Sequence, residues 1–300
     1  MTPSRLAAAC TIAFALAPLA RAQSLDVGGA PGAPPQPIQI TASQGITWQQ
    51  QSQTVTATGS AQAVRGDVTV DADQLVAHYR KKPGAAPAPN ASPGSLDQGD
   101  SQLYELDAIG HVHIFTATDN AYGDHGTYSL DSDVLVLTGQ HLKLTTPHDI
   151  ITARDAIEYY ATKRMAVARG NALIVADDGR SIAADILVGY LLPAAAAPAT
   201  AAAPKPGDDS LEQTGKLREV DAFGHVVIHT TTDTVTGDKG IYLPITGRAR
   251  IGGNVHIIRG PNELAGADAL VNMKTGVATL LAGPGGQVAG TIIPNSGTSK

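Results

Sequence analysis

His111 and His113, one residue apart, and six aspartates at near-constant distance from glycines (Asp73, Asp124, Asp155, Asp185, Asp238 and Asp268) are the residues of this 300-residue chain whose types and spacing could do chemistry. The His111-x-His113 pair puts two imidazoles on one strand face, which is half of a metal site. The sequence fixes no third ligand, and both positions fall on the face expected to be wet, so no metal and no cofactor is assigned. A catalytic carboxylate pair occurs once in a chain. These aspartates recur with the period of the fold, which assigns them to turns and strand edges. Ser, His and Asp are all present, but without a Gly-x-Ser-x-Gly elbow or a similar signature. The expectation is a protein that is not an enzyme.

The elements that hold these residues follow from a repeat. Nearly the same phrase is written as ATGSAQA (57–63), AIGHVHI (108–114), ARGNALI (168–174), AFGHVVI (222–228) and IGGNVHI (251–257). Anchored on Gly59, Gly110, Gly139, Gly170, Gly224, Gly253 and, more weakly, Gly283, the period is about 30 residues once two Ala/Pro-rich inserts, 81–100 and 192–215, are set aside. Apolar residues fall two before, two after and four after the glycine, as in Ala108, Val112 and Ile114. Polar residues lie between them. That alternation predicts half-buried strands, about two per unit, in an all-β protein. The Gly139 unit departs from it, with Leu142 and Leu144 displaced by one, which predicts a bulge or a shifted anchor. Glycine in mid-strand predicts repeated bending of the backbone. Tyr128, Tyr159 and Tyr242 each follow an aspartate by four residues and are expected to be half-buried. A β-solenoid and a two-walled β-jellyroll both satisfy this pattern.

Residues 1–22 carry Arg5, an apolar run and a closing Ala-Arg-Ala, the form of a cleaved secretory signal peptide. The single cysteine, Cys10, lies within it, so an exported chain would have no thiol. The formal charge is −6, basic residues occur only in small groups, and aromatic content is 4%. Nucleic acid is excluded as a partner on those grounds.

The segment PQPIQITASQGITWQQQSQTVTATGSAQAVRGDVTVDADQLVAHY (35–79) resembles the opening of the LptA/OstA family of periplasmic lipopolysaccharide-transport proteins, and the stretches 123–144 and 151–174 are similar to its later strands. The resemblance divides the chain into a signal peptide (1–22), an N-terminal segment (23–36), a family domain (37–190) with its insert at 81–100, a second insert (191–216), further repeats (217–283) and a tail (284–300). It implies an OstA-type β-jellyroll, with the β-solenoid as the alternative, that binds the acyl chains of lipopolysaccharide between its walls. The inferred inward faces carry Ile38, Ile40, Val55, Val68, Val70, Leu75, Val112, Ile114, Leu142 and Leu144. Edge strands carrying Ile38 and Ile40 at one end, and Val277 and Leu280 at the other, would pair head to tail with further copies or with Lpt proteins of the same fold, LptC and LptD. Three competing expectations stand beside this one. An LptC-like partner would retain residues 1–22 as an anchor, a structural β-solenoid would have a filled interior, and a β-helical polysaccharide enzyme would need more aromatic platforms than the chain has.

Overall fold

The structure, a computed structural model, describes residues 38–81, 101–192, 217–283 and 286–291. The expected signal peptide and N-terminal segment, nearly all of both inserts and most of the tail lie outside the described residues.

The described residues form strands and turns only. In chain order these are β1 (Gln39–Thr41), β2 (Gly45–Gln49), β3 (Thr54–Arg65), β4 (Val68–Lys81), β5 (Ser101–Phe115) and β6 (Asn120–Ser129). Next come β7 (Val134–Thr138), β8 (Leu142–Thr145), β9 (Asp149–Ala153), β10 (Ala156–Tyr160), β11 (Met165–Ala176) and β12 (Ser181–Leu191). The last six are β13 (Leu217–His229), β14 (Thr234–Leu243), β15 (Arg248–Arg259), β16 (Asn262–Asn272), β17 (Val277–Leu281) and β18 (Ala289–Thr291).

Every pairing is antiparallel and every long strand pairs with the next in sequence. Four rows are split in two. β1 and β2 both pair with β3, β7 and β8 with β6, β9 and β10 with β11, and β17 and β18 with β16. One continuous antiparallel sheet of bent rows results, with neighbours in space that are neighbours in sequence. That stacking fits the solenoid-like alternative better than a jellyroll, whose strand order jumps between sheets. The pairing of β12 with β13 carries the sheet on beyond the second insert. Each insert joins paired residues, Lys81 with Ser101 and Leu191 with Leu217, and so replaces a hairpin turn.

The bends explain the glycines. In β3, β5, β11, β13 and β15 the glycine and the residue after it both have positive φ, as in Gly110 (78°) with His111 (46°) and Gly224 (76°) with His225 (47°). The register shifts at each of these points, between Thr58 and Ala61 and between Ile109 and Val112 for example. This two-residue bulge turns the strand from one wall to the other. A Cβ on Gly110 would lie 2.2 Å from Asp73 Oδ2, and Gly170, Gly224 and Gly253 meet Asp155, Asp185 and Asp238 in the same way. Asp73, Asp185 and Asp238 therefore sit in mid-strand at the bend of their own rows, and Asp155 in the break between β9 and β10, each with its carboxylate laid over the glycine of the next row. The expectation that the aspartates belong to turns and strand edges is corrected on this point. The Gly139 row breaks here altogether, with Gly139 and His141 at positive φ between β7 and β8, and Gln140 N–H donates to Asp124 at 2.7 Å.

The turns use a different aspartate. In Thr116–Asp119, Thr146–Asp149 and Thr230–Asp233 the threonine hydroxyl accepts from the aspartate N–H at 2.9–3.0 Å, closing a tight turn at the same end of successive rows. Burial raises the Asp119 and Asp149 carboxyls above the usual carboxylate range.

Inner faces from both halves of each row meet in one core. Ala57 and Leu75 stand on one wall, Ala61 and Val112 on the other, and all are buried together with Ile114, Leu137, Leu142, Val226, Ile228, Ile251 and Val255. Contact across the bend is direct, since a Cβ on Gly126 would meet Val112 and Leu137, and one on Gly240 would meet Val226. Tyr128 is buried and Tyr159 and Tyr242 are partly buried against this core.

Candidate functional site

The residues expected on inward faces differ in what they meet. Val68, Leu75, Val112, Ile114 and Leu142 are buried in the main core, with Val70 and Leu144 partly buried against it. Val55 belongs to a smaller cluster with Ala77 and Tyr79. These side chains pack on one another. Toward the C-terminal rows the packing is tighter still, with Val226, Val235, Ile251 and Val255 fully enclosed.

The first row is different. Ile38, Ile40 and Ala42 lie on the core only in part. Ile40 stands opposite Ala63, an inward residue, so β1 covers one wall. The chain then bends at Ser43-Gln44, where Ser43 donates to the Gly59 carbonyl at 2.8 Å and the Gln44 and Ser43 side chains lie over Gly59, as an aspartate does in other rows. β2 covers the other wall, with Ile46 opposite Ala57 and Trp48 opposite Val55. Both partners point inward, so Ile46 and Trp48 do too, yet they are 53% and 48% exposed. Every other large exposed hydrophobic on a strand of the described rows points outward. The N-terminal end of the stack is thus an open apolar mouth framed by Ile40 on one wall and Ile46 and Trp48 on the other. The Trp48 ring stacks on Tyr79, with centroids 6.4 Å apart, on the wall that β2 covers.

Ile46 and Trp48 were missed in the sequence. The signal was present in GITWQ, a period-two strand holding the only tryptophan of the chain. What concealed it was the position before the first repeat phrase, outside the glycine register used to assign faces.

The C-terminal row is closed by comparison. Leu280 points inward, and its side chain fills the space over Gly266, where a Cβ would lie 2.7 Å away. Val277 points outward and is exposed. Both end rows pair on one side only among the described residues, β1 and β2 with β3, β17 and β18 with β16.

On the outer surface, His111 is 90% exposed and its Nδ1 lies 2.8 Å from Asp73, which raises the imidazole above its ordinary value through that hydrogen bond and the carboxylate charge. His225 repeats this on Asp185 at 2.8 Å, with the same shift and causes. His113 is not beside His111 as a ligand. Its ring is stacked between Phe115 and Tyr122, at 4.6 and 4.4 Å, and bonded to Asn120. The His111-x-His113 pair is therefore split between two separate contacts.

Residues 39–165 match the family model described as LptA/(LptD N-terminal domain) LPS transport protein. Among solved structures, the chain is similar to LptH of Pseudomonas aeruginosa, described as the LptA homologous periplasmic component of the conserved lipopolysaccharide transport device, at 13% identity over 45% of this chain and 82% of that one, with a TM-score of 0.35. No curated protein matches the chain. Residues 39–165 are thus similar to an LptA/OstA-type lipopolysaccharide-transport domain.

Proposed function

We propose that this protein is a non-catalytic component of an Lpt-type export system that receives the acyl chains of lipopolysaccharide at its N-terminal mouth and carries the lipid across the periplasm. The observation that carries this reading is the inward-facing yet exposed pair Ile46 and Trp48, with the half-buried Ile40 on the other wall. Elsewhere the same inner face is covered by the next row; here nothing among the described residues covers it. Burying an acyl methylene against such a surface contributes about 0.8 kcal/mol. The unpaired strands of the first and last rows would dock copies of this chain, LptC or LptD by strand addition, head to tail. Residues 1–22 would be removed on export.

A second reading, a structural β-solenoid with no lipid cargo, draws support from the close packing around Val226, Val235, Ile251 and Val255. The two separate in native mass spectrometry of protein purified from the periplasm. Bound lipopolysaccharide on a chain beginning near residue 23 fits the carrier. A lipid-free chain fits the solenoid, and a membrane-bound chain retaining residues 1–22 fits an LptC-like anchored partner.

A further inference from the structure

We infer that the outer face of β4, β5 and β6 holds a divalent transition-metal site of the zinc class, built from His78, Glu105, Asp107 and His125. Three adjacent rows supply these residues. His78 on β4 lies directly opposite Glu105 on β5. Asp107 is two residues further along β5, on the same face. It is paired with Thr127 on β6, two residues after His125. The intervening Ala77, Ala108 and Gly126 face the core, which fixes the four side chains outward.

The donor atoms converge. One atom each from His78, Glu105 and Asp107 lies within 4.8 Å of the others. His78 Nε2 is 3.0 Å from Asp107 Oδ2, and His125 Nε2 is 3.6 Å from Asp107 Oδ1. Ligands bound to zinc at about 2.0–2.2 Å in a tetrahedron are separated by about 3.3 Å, so small rotations bring the three clustered donors to coordination distance, with His125 beside the other oxygen of Asp107. Charge also fits. Among the described residues the ion pairs of Asp107 are with the two imidazoles, and Glu105 has none. The adjacent Arg80 is bonded through both terminal nitrogens to Asp131, at 2.8 and 2.7 Å. Two carboxylates with no strong cation are what a divalent ion would neutralise.

The surroundings orient the set. Thr127 donates to Asp107 Oδ1 at 2.8 Å, an outer contact of the kind that fixes a ligating carboxylate. The register slips between His78 and Tyr79, so Tyr104 is an extra residue whose ring lies 6.1 Å from that of His78. This bulge lies in β5, next to Glu105. Two imidazoles with carboxylates select zinc, copper or nickel over calcium or magnesium. The site lies close to the Lys81–Ser101 pairing, so a bound ion would tie three rows together beside the first insert.

The test is titration of chelator-treated protein with zinc chloride, followed by calorimetry and by thermal unfolding. One ion per chain is expected, raising the melting temperature as ligand-linked stabilisation requires, with magnesium and calcium inert. His78→Gln and Asp107→Asn should each weaken binding by more than the tenfold typical of losing an outer-shell partner. The double variant His111→Gln, His113→Gln should bind as the parent does. Should Asp107→Asn lose its β circular-dichroism signal without metal, His125→Gln, on the more exposed ligand, takes its place. Failure to bind one zinc ion per chain overturns the assignment, as does unchanged affinity in His78→Gln or loss of binding only in the His111, His113 variant.

Discussion

Gly110→Ala tests how the bends are held. Gly110 has φ of 78°, and an L residue forced into that region costs roughly 1–2 kcal/mol from its own backbone. The new methyl would also lie 2.2 Å from Asp73 Oδ2, a distance no real contact sustains. Either the bend opens or the Asp73 carboxylate swings away and releases His111. Forced overpacking of this kind adds about 1–3 kcal/mol. Gly179→Ala supplies the control, because Gly179 has φ of 82° with no atom within 4 Å of the added Cβ, so it carries the backbone cost alone. Urea or thermal unfolding should place Gly110→Ala about 1–3 kcal/mol below Gly179→Ala, at about 2–4 °C per kcal/mol for a domain of this size. In an Asp73→Ala background the added penalty of Gly110→Ala should largely vanish, since the obstructing carboxylate is gone. Equal destabilisation by Gly110→Ala and Gly179→Ala would show that the aspartate does not lock the bend.

Other consequences can be checked separately. Ile251→Ala should cost about 2–5 kcal/mol in unfolding free energy, the range for truncating a fully enclosed aliphatic side chain, while Trp48→Ala at the open mouth should cost far less and reduce lipopolysaccharide capture instead. His111 and His225 should titrate above 6.5 by NMR, because Asp73 and Asp185 favour their charged forms. A raised folded-state value means that their contribution to stability is complete below about pH 6.5 and is lost as the pH rises through the folded value. Asp73→Asn and Asp185→Asn should return each histidine to its ordinary range. Joining Lys81 to Ser101 by a two-residue turn should leave the β circular-dichroism signal and the melting temperature nearly unchanged, because those residues are already paired across the hairpin mouth.

The strand content, the bends and the inward faces were legible because a period-two pattern recurs about a fixed glycine, and a face assigned in one unit carries over to the next. Val112 and Ile114 could be placed inward from AIGHVHI alone. The role of the aspartates was not legible in the same way. Asp73 lies 14 residues from Gly59, but the glycine it covers is Gly110, in the following row and beyond an insert, a contact that sequence spacing hides. The Thr-x-x-Asp turns were hidden by the stronger glycine signal, since TATD, TPHD and TTTD share only two residues. The choice of stacked bent rows over a jellyroll depended on pairing order, which period-two alternation does not encode. Trp48 stood outside the repeat register, and the convergence of His78, Glu105, Asp107 and His125 needed the relative register of three strands.

Site-specific photo-crosslinking in cells tests the carrier most directly. A crosslinking residue placed at Trp48, Ile46 or Ile40 should capture lipopolysaccharide, whereas one at His111 on the outer face or at Val226 in the packed core should not. Equal labelling at the mouth and at His111, or none at the mouth while the protein is exported and folded, would contradict an acyl-binding mouth at the N-terminal end of the stack.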